Sequence, residues 1–232
     1  MNNNRVAQSF RFMFLLTFVG GYLNAYSFFA RGGNFVSMQS GNMVKFGISI
    51  YTKDFTLFVS AIMPMMGCLI GAVISHLIQY KFKNNSTYKN NQNTLWIELI
   101  ALMIIALIPP QVSNILVCFL ISIIAGYQLN SFKNYEDLAH FTTLASGSIR
   151  NLAQRISEFI ITKDMNTFIR LVKYTFLLFS FGFGAFVGAI FSNLLGTTSL
   201  LFAPIILSVM SLMLKLEQDK KAIAFAKIKV AS

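Results

Sequence analysis

The segment LIALMIIALIPPQVSNILVCFLISIIAGYQLNSF, Leu99–Phe132, contains no charged side chain. A continuous helix of this length would measure about 51 Å, which exceeds the roughly 30 Å of a bilayer core. Pro109 and Pro110 lie inside it, and consecutive prolines remove backbone donors and stop a helix. The segment therefore predicts two membrane helices joined by a tight turn, one ending near Ile108 and one starting near Val112. The first arm is expected to begin near Thr94, which would place Glu98 close to a membrane interface.

The composition also indicates a membrane protein. The chain has 232 residues, of which 55% are hydrophobic and 12% charged, and its mean hydropathy is +0.62. A soluble domain is nearer a quarter charged. The composition therefore excludes a soluble globular enzyme, a disordered chain and a disulfide scaffold. Cys68 and Cys118 both lie in apolar segments, where we expect them to be packing residues.

Three further apolar segments complete the set of predicted spans: Phe12–Ala30, Phe55–Tyr80 and Tyr174–Leu214. The last is long enough to fold back on itself, and Asn193–Thr198 is its expected turn. Together with the proline hairpin this predicts six spans. The first is expected to be retained rather than cleaved as a signal peptide, because no convincing small-residue cleavage site follows it.

Three sequence blocks occur twice in the same order. FVSMQSGNM (35–43) aligns without gaps with FTTLASGSI (141–149), GYLNAYSF (21–28) resembles GYQLNSF (126–132), and G-x-x-x-G-A-x-x-S starts at both Gly67 and Gly184. The blocks predict a single membrane domain, residues 1–232, built from two related halves. We place the first repeat at 10–110, the second at 111–216 and a basic tail at 217–232.

Each half contains a Ser-Gly element that is not a convincing simple span. If the element re-enters the membrane, each half has three spans and the halves are inverted; if it crosses, each half has four and they are parallel. The inverted arrangement puts 16 of the 19 Lys and Arg residues inside, against about 14 for the parallel one, and the positive-inside rule favours the larger bias. The predicted fold class is an all-α polytopic membrane protein with six transmembrane helices and two broken or re-entrant Ser-Gly elements, built as two related halves that we expect to be inverted repeats.

The net charge of +11 is then largely a marker of the cytoplasmic side. Both topologies place both termini inside, and the basic tail is expected to lie on anionic lipid. No nucleic-acid partner is expected, because no nucleic-acid-binding motif accompanies the basic residues.

The Ser-Gly elements carry the functional hypothesis. A break that opens a helix leaves free N–H groups and the positive end of the helix dipole, which bind anionic groups. Broken elements in both halves of an inverted repeat indicate a transport site near the midplane. The predicted substrate-binding residues are Asn24, Gln39, Ser40, Gly41, Asn42, Asn130, Ser146, Gly147, Ser148 and Arg150. Asn24 and Asn130 either hydrogen-bond to the Ser-Gly backbone or line the pathway.

The prediction is a small transporter or channel-like permease for an unidentified small anionic or zwitterionic solute. The alternative is a non-transporting membrane scaffold or partner subunit, in which the breaks serve packing. Gly67, Gly71, Gly184 and Gly188 are expected to let helices of the two halves pack closely, with a homo-oligomer interface as the other possibility. No catalytic residue, cofactor or metal is predicted, because the chain has no Ser-His-Asp arrangement, His/Cys cluster or phosphate loop. The partners expected are the lipid bilayer and the solute.

The blocks GYLNA (21–25), GNFVSMQSGN (33–42) and TTLASGSIR (142–150) resemble the YoaK family of bacterial integral membrane proteins, also called DUF1275. The resemblance covers essentially the whole chain. It implies a multi-pass protein of the bacterial cytoplasmic (inner) membrane and no particular substrate. The pattern of the family usually has Asp in place of Asn24 and Thr-Gly in place of both Ser-Gly pairs.

Overall fold

The computed structural model describes the backbone of residues 9–82, 87–132, 134–135, 138–139 and 145–231. It describes the side chains of residues 9–82, 91–132 and 148–216. The basic tail predicted at 217–232 therefore lies outside the described side chains.

Eight α-helices make up most of this part of the chain. They are α1 (Phe10–Ala30), α2 (Gln39–Thr52), α3 (Phe55–Lys81), α4 (Thr87–Ala106), α5 (Asn114–Ser131), α6 (Ala145–Thr162), α7 (Met165–Leu195) and α8 (Phe202–Ala231). A 3-10 helix, Gly196–Leu201, joins α7 to α8. Between α5 and α6, the two-residue strands β1 (Asn134–Tyr135) and β2 (Leu138–Ala139) pair antiparallel. The predicted all-helical class is confirmed.

The proline hairpin is confirmed, since α4 ends at Ala106 and α5 begins at Asn114. The turn in the last apolar segment lies slightly later than predicted. Helix α7 continues to Leu195, and Gly196 ends it with a φ of 58°, a left-handed conformation that glycine adopts without a steric penalty.

Helix α4 starts at Thr87, seven residues before the predicted start. Residues 87–94 are polar apart from Tyr88, so Glu98 still lies near the start of the apolar part of the helix, and its closeness to a membrane interface stays a prediction. Its side chain is only 1% exposed.

Four segments of the described chain are long and apolar enough to cross a membrane. They are α1, α3, α5 and the continuous segment Met165–Leu216, which contains α7, the 3-10 helix and the first half of α8. The outer surface of the bundle is apolar; exposed large side chains on α7 include Phe176, Phe179, Phe183 and Phe186. A surface of this kind suits contact with lipid rather than water.

Close helix pairs hold the bundle together. Helix α1 packs on α7, and α3 packs on α5. A Cβ at Gly184 would overlap the carbonyl oxygen of Phe18, and one at Gly71 would overlap that of Ile123. Gly21, Gly67, Gly126 and Gly188 make equivalent approaches to the backbone of the partner helix. Since α1 and α3 belong to the first half of the chain and α7 and α5 to the second, these glycines pack the halves together.

Helices α1 and α5 run antiparallel. The rings of Phe12 and Phe132 are 5.4 Å apart, and the Gln128 amide donates to the Leu16 carbonyl at 3.3 Å. At the other end, Arg31 follows α1 and its Nη1 lies 3.5 Å from the Oδ1 of Asn114, the first residue of α5. Helix α5, whose sequence block at 126–132 resembles the block at 21–28 in α1, thus runs opposite to α1. The short helices lie outside the central pairs, α2 against α3 and α6 against α7.

Candidate functional site

Both Ser-Gly pairs lie in the first turn of a helix. After α1 the chain has no helix from Arg31 to Met38, and Gly32 and Gly33 have φ values of 79° and 76°. Helix α2 then begins at Gln39, so Ser40 and Gly41 are its second and third residues. Ser146 and Gly147 occupy the same positions in α6, although the Ser146 side chain lies outside the described residues. In the first half, the break therefore precedes the Ser-Gly pair; residues 140–144, before the second pair, lie outside the described residues.

The segment between α1 and α2 folds back toward the middle of the bundle. The Nδ2 of Asn24 donates to Ser37 Oγ at 2.6 Å and to the Gly20 carbonyl at 2.8 Å, and its Oδ1 accepts from the Ser37 amide at 3.2 Å. Asn24 lies six residues before the end of α1, which is about 9 Å along the helix axis. Gln39 lies beside the thiol of Cys68, at the midpoint of α3. Helix α2 therefore begins about halfway along its neighbours.

The polar groups at the start of α2 mostly bond to the preceding loop. The amides of Gln39 and Gly41 donate to the carbonyls of Ser37 and Met38, both at 3.0 Å. The Asn42 Nδ2 donates to the Phe35 carbonyl at 2.8 Å and to Gln39 Oε1 at 2.9 Å. These amides hold the loop, so they are not the free anion-binding groups that the sequence predicted. Asn42 Oδ1 is buried and has no hydrogen-bond partner within the described residues.

A basic cluster, Arg31 and Lys45, lies beside Cys118 near the start of α5. Arg31 is fully buried; its Nε donates to the Tyr26 hydroxyl at 3.0 Å. The half-buried Lys45 donates to the Gly33 carbonyl, and its Nζ lies 5.2 Å from the centre of the Phe35 ring. Both cations lie within electrostatic range of the Cys118 thiol. Partial burial lowers the pKa of Lys45. Within the described side chains, neither cation forms an ion pair with a carboxylate.

The short helices α2 and α6 turn polar faces inward. On α2 the inward residues are Asn42, Lys45 and Ser49; at the same spacing on α6 they are Ser148, Asn151 and Arg155. Large apolar residues face outward, including Met43, Val44 and Ile48 on α2 and Ile149, Ile156 and Ile160 on α6, and α6 also exposes Arg150 and Gln154. This arrangement differs from that of a surface helix in water, and the outer face of α2 fits contact with lipid.

Arg155 is the buried cation of α6. Its Nη1 lies 2.9 Å from Glu158 Oε2, an ion pair at the i,i+3 spacing that brings side chains together on a helix. The guanidinium lies 5.9 Å from the centre of the Tyr174 ring, and the Tyr174 hydroxyl accepts from Asn151 Nδ2 at 2.9 Å.

The remaining predicted site residues are spread through the structure. Ser40 and Arg150 are exposed. Asn130 lies between α5 and α3, where its Nδ2 donates to the Ala72 carbonyl at 3.3 Å. From the repeat we predict that the two Ser-Gly pairs face each other across the axis that relates the two halves.

A cavity of about 260 Å³ lies between α1, α7 and the start of α2. Its walls are mostly aromatic and apolar, including Phe28, Phe35 and Phe181, and Asn24 is the polar residue that borders it. The basic cluster does not line this cavity.

Sequence reasoning missed a fourth repeated block. Thr52-Lys53-Asp54 and Thr162-Lys163-Asp164 are identical. Each lysine has a positive φ, 55° and 50°, and each aspartate caps the next long helix by accepting a hydrogen bond from the backbone amide three residues later.

The burial of Arg31 and Arg155 was also missed, because charge alone does not indicate which basic residues face the interior.

The comparison with known families agrees with this architecture. The family model described as protein of unknown function (DUF1275) matches residues 12–213. The chain belongs to the DUF1275 family. The match extends from α1 into α8 and so includes both halves and both short helices. No curated protein and no solved structure matches the chain.

Proposed function

We propose that this DUF1275 protein is a small transporter or channel-like permease for a small anionic or zwitterionic solute. The observation that carries the proposal is the basic cluster of Arg31 and Lys45. A buried charge is costly unless it is paired, and charged side chains inside membrane proteins commonly line solute or ion pathways. A carboxylate, phosphate or similar group of the solute would supply the negative charge that the described side chains do not.

The polar faces of α2 and α6 support a pathway through the bundle. They provide hydrogen-bonding side chains in both halves, at matching positions, while large apolar side chains of both helices face outward. In transporters built from inverted repeats, short or interrupted helices in corresponding positions line the substrate site. We infer that Asn42 and Lys45 in one half, and Ser148 and Asn151 in the other, border the path of the solute.

We further propose six spans arranged as inverted repeats. The antiparallel α1 and α5 support inversion. The packing supports it as well, because α1 packs on α7 of the second half and α5 packs on α3 of the first half. The six spans would be α1, α3, α4, α5, α7 and α8. Helices α2 and α6 would be re-entrant, so that the chain enters and leaves the membrane on the same side at each of them. The bias of basic residues supports a cytoplasmic location for both termini in this arrangement, and we propose that the protein lies in the bacterial inner membrane.

The test is uptake by vesicles reconstituted with the purified protein, using a panel of labelled carboxylates, phosphates, inorganic anions and amino acids. Uptake of at least one anion or zwitterion above empty vesicles is expected. The Lys45→Gln variant should lower that uptake about 10-fold or more, because the loss of one charge-assisted hydrogen bond is worth about 1.5–3 kcal/mol.

Lys53→Gln is the matched control, since it removes an exposed basic residue at the end of the same short helix, α2. It should leave uptake within about twofold of the native protein, as surface charges contribute little. Equal losses in both variants would remove the basic cluster from the proposal. A panel with no transported solute would favour the scaffold alternative.

A further inference from the structure

Glu98 is a buried acid in α4, three residues after Leu95, where the apolar part of the helix begins. Its side chain is 1% exposed, and its Oε1 has no hydrogen-bond partner within the described residues. An ionisable residue buried in this way is costly and is usually retained for function. The basic cluster does not pair with it, because within the described side chains Glu98 forms no ion pair.

Few other titratable groups lie near this carboxyl group. On α5, Tyr127 lies within electrostatic range of Glu98, and its hydroxyl hydrogen-bonds to Thr94, one helical turn before Glu98. The 3-10 helix and the described part of α8 carry a single charged residue, Lys215. Lys215 lies beyond Ser211, which hydrogen-bonds to Gln92, six residues before Glu98. The surroundings of Glu98 therefore offer hydroxyl groups and no counter-charge.

A second cavity leads toward this site. It has a volume of about 260 Å³ and lies where the end of α3 meets α4 and α5. Gln79, Asn93, Thr94 and Tyr127 provide its polar lining. Because a water molecule occupies about 30 Å³ of liquid, the cavity has room for several, and polar partners are present to hold them. It lies near Lys81, at the end of α3 that the positive-inside rule assigns to the cytoplasm.

We propose that Glu98 is a proton-binding site that exchanges its proton with water in this cavity. The carboxylate takes up one proton on a carboxyl oxygen and becomes a neutral acid, and the same proton returns to water when the group ionises. The use of this site to couple proton and anion movement rests on the proposed function; the binding of the proton does not.

The experiment is infrared spectroscopy of the full-length protein in lipid nanodiscs, compared with its Glu98→Gln variant. The native protein should show the C=O stretch of a protonated carboxyl group near neutral pH. The band should be lost in Glu98→Gln, retained in the controls Glu158→Gln and Asp54→Asn, and shifted in heavy water. Glu98→Asp should move the band rather than remove it, and it replaces the Gln variant if that variant fails to fold. A native protein with no such band, a band that persists in Glu98→Gln, or a band insensitive to heavy water would overturn the proposal.

A second measurement separates this inference from the transport proposal. Uptake of the identified anion is compared with and without an imposed pH gradient. Acceleration by the gradient that is lost in Glu98→Gln supports coupling. If the infrared band of Glu98 is observed but no solute is taken up, the proton-binding site is supported and the transport proposal is contradicted. Uptake with no Glu98 band would leave transport standing and remove the proton site.

Discussion

Asn24 links the first span to the segment that precedes α2. All of its side-chain hydrogen-bonding atoms are used, two bonds to Ser37 and one to Gly20. The sequence predicts that a buried Asn needs partners, but it does not identify them, because Ser37 lies in a segment without helical or strand periodicity. The structure favours a positioning role for Asn24, through its bonds to this segment.

We expect Asn24→Ala to destabilise the protein by about 1–3 kcal/mol, because it removes the two buried hydrogen bonds between the Asn24 side chain and Ser37. Thermal unfolding of the purified protein in detergent measures this change. Ser27→Ala is the control, since the buried Ser27 hydroxyl donates only to the Asn24 carbonyl within α1, and its loss should cost less than about 1 kcal/mol. Equal stability of the two variants would show that Asn24 does not hold the segment.

At the scale of the element, helix boundaries were largely predictable and inward faces were not. The consecutive prolines and the charge-free segments predicted both ends of α1, α3 and α5 and the last residue of α4 within a few residues, whereas α4 begins seven residues earlier than predicted. On α6 the helical period places Ile149, Ile156 and Ile160 on one apolar face, and the structure exposes these residues while burying Arg155. Periodicity identifies an amphipathic helix, but the buried side depends on whether its surroundings are water or lipid.

Glycine positions determine which helices touch. Gly71 and Gly182 both lie inside long apolar helices, but a Cβ at Gly71 would overlap the Ile123 carbonyl oxygen, whereas one at Gly182 meets no atom within 4 Å. The G-x-x-x-G repeat predicted close packing without naming the partner helix. The partner follows from the tertiary arrangement, which local sequence does not specify.

We expect Gly71→Ala to destabilise the protein by about 1–3 kcal/mol or more, because the backbone of α5 must move away from the added methyl group. Gly182→Ala should leave stability unchanged or raise it by up to about 1 kcal/mol, since alanine is the better helix former. Thermal unfolding and the yield of monodisperse protein provide the readouts. A neutral Gly71→Ala would contradict the close approach of α3 and α5.

At the scale of the whole molecule, α1 packs on α7 and α3 packs on α5, so both central pairs join the two halves of the chain. Each long glycine-bearing pair takes one helix from each half, and each half adds a short helix with a polar inward face. The sequence predicted two related halves from repeated blocks, and the basic residues favoured inversion. The basic cluster was not predictable, because it depends on α1, α2 and α5 meeting at residues far apart in the chain.

The most direct test of the inverted arrangement is the sidedness of the two identical Thr-Lys-Asp turns. Single cysteines replace Lys53 and Lys163, which are equivalent exposed positions, in a background with Cys68 and Cys118 changed to alanine. Intact cells are treated with a membrane-impermeant thiol reagent, and labelling is compared before and after permeabilisation. Inverted halves predict that position 53 labels in intact cells and position 163 labels only after permeabilisation. Labelling of both positions only after permeabilisation would show parallel halves and contradict the account.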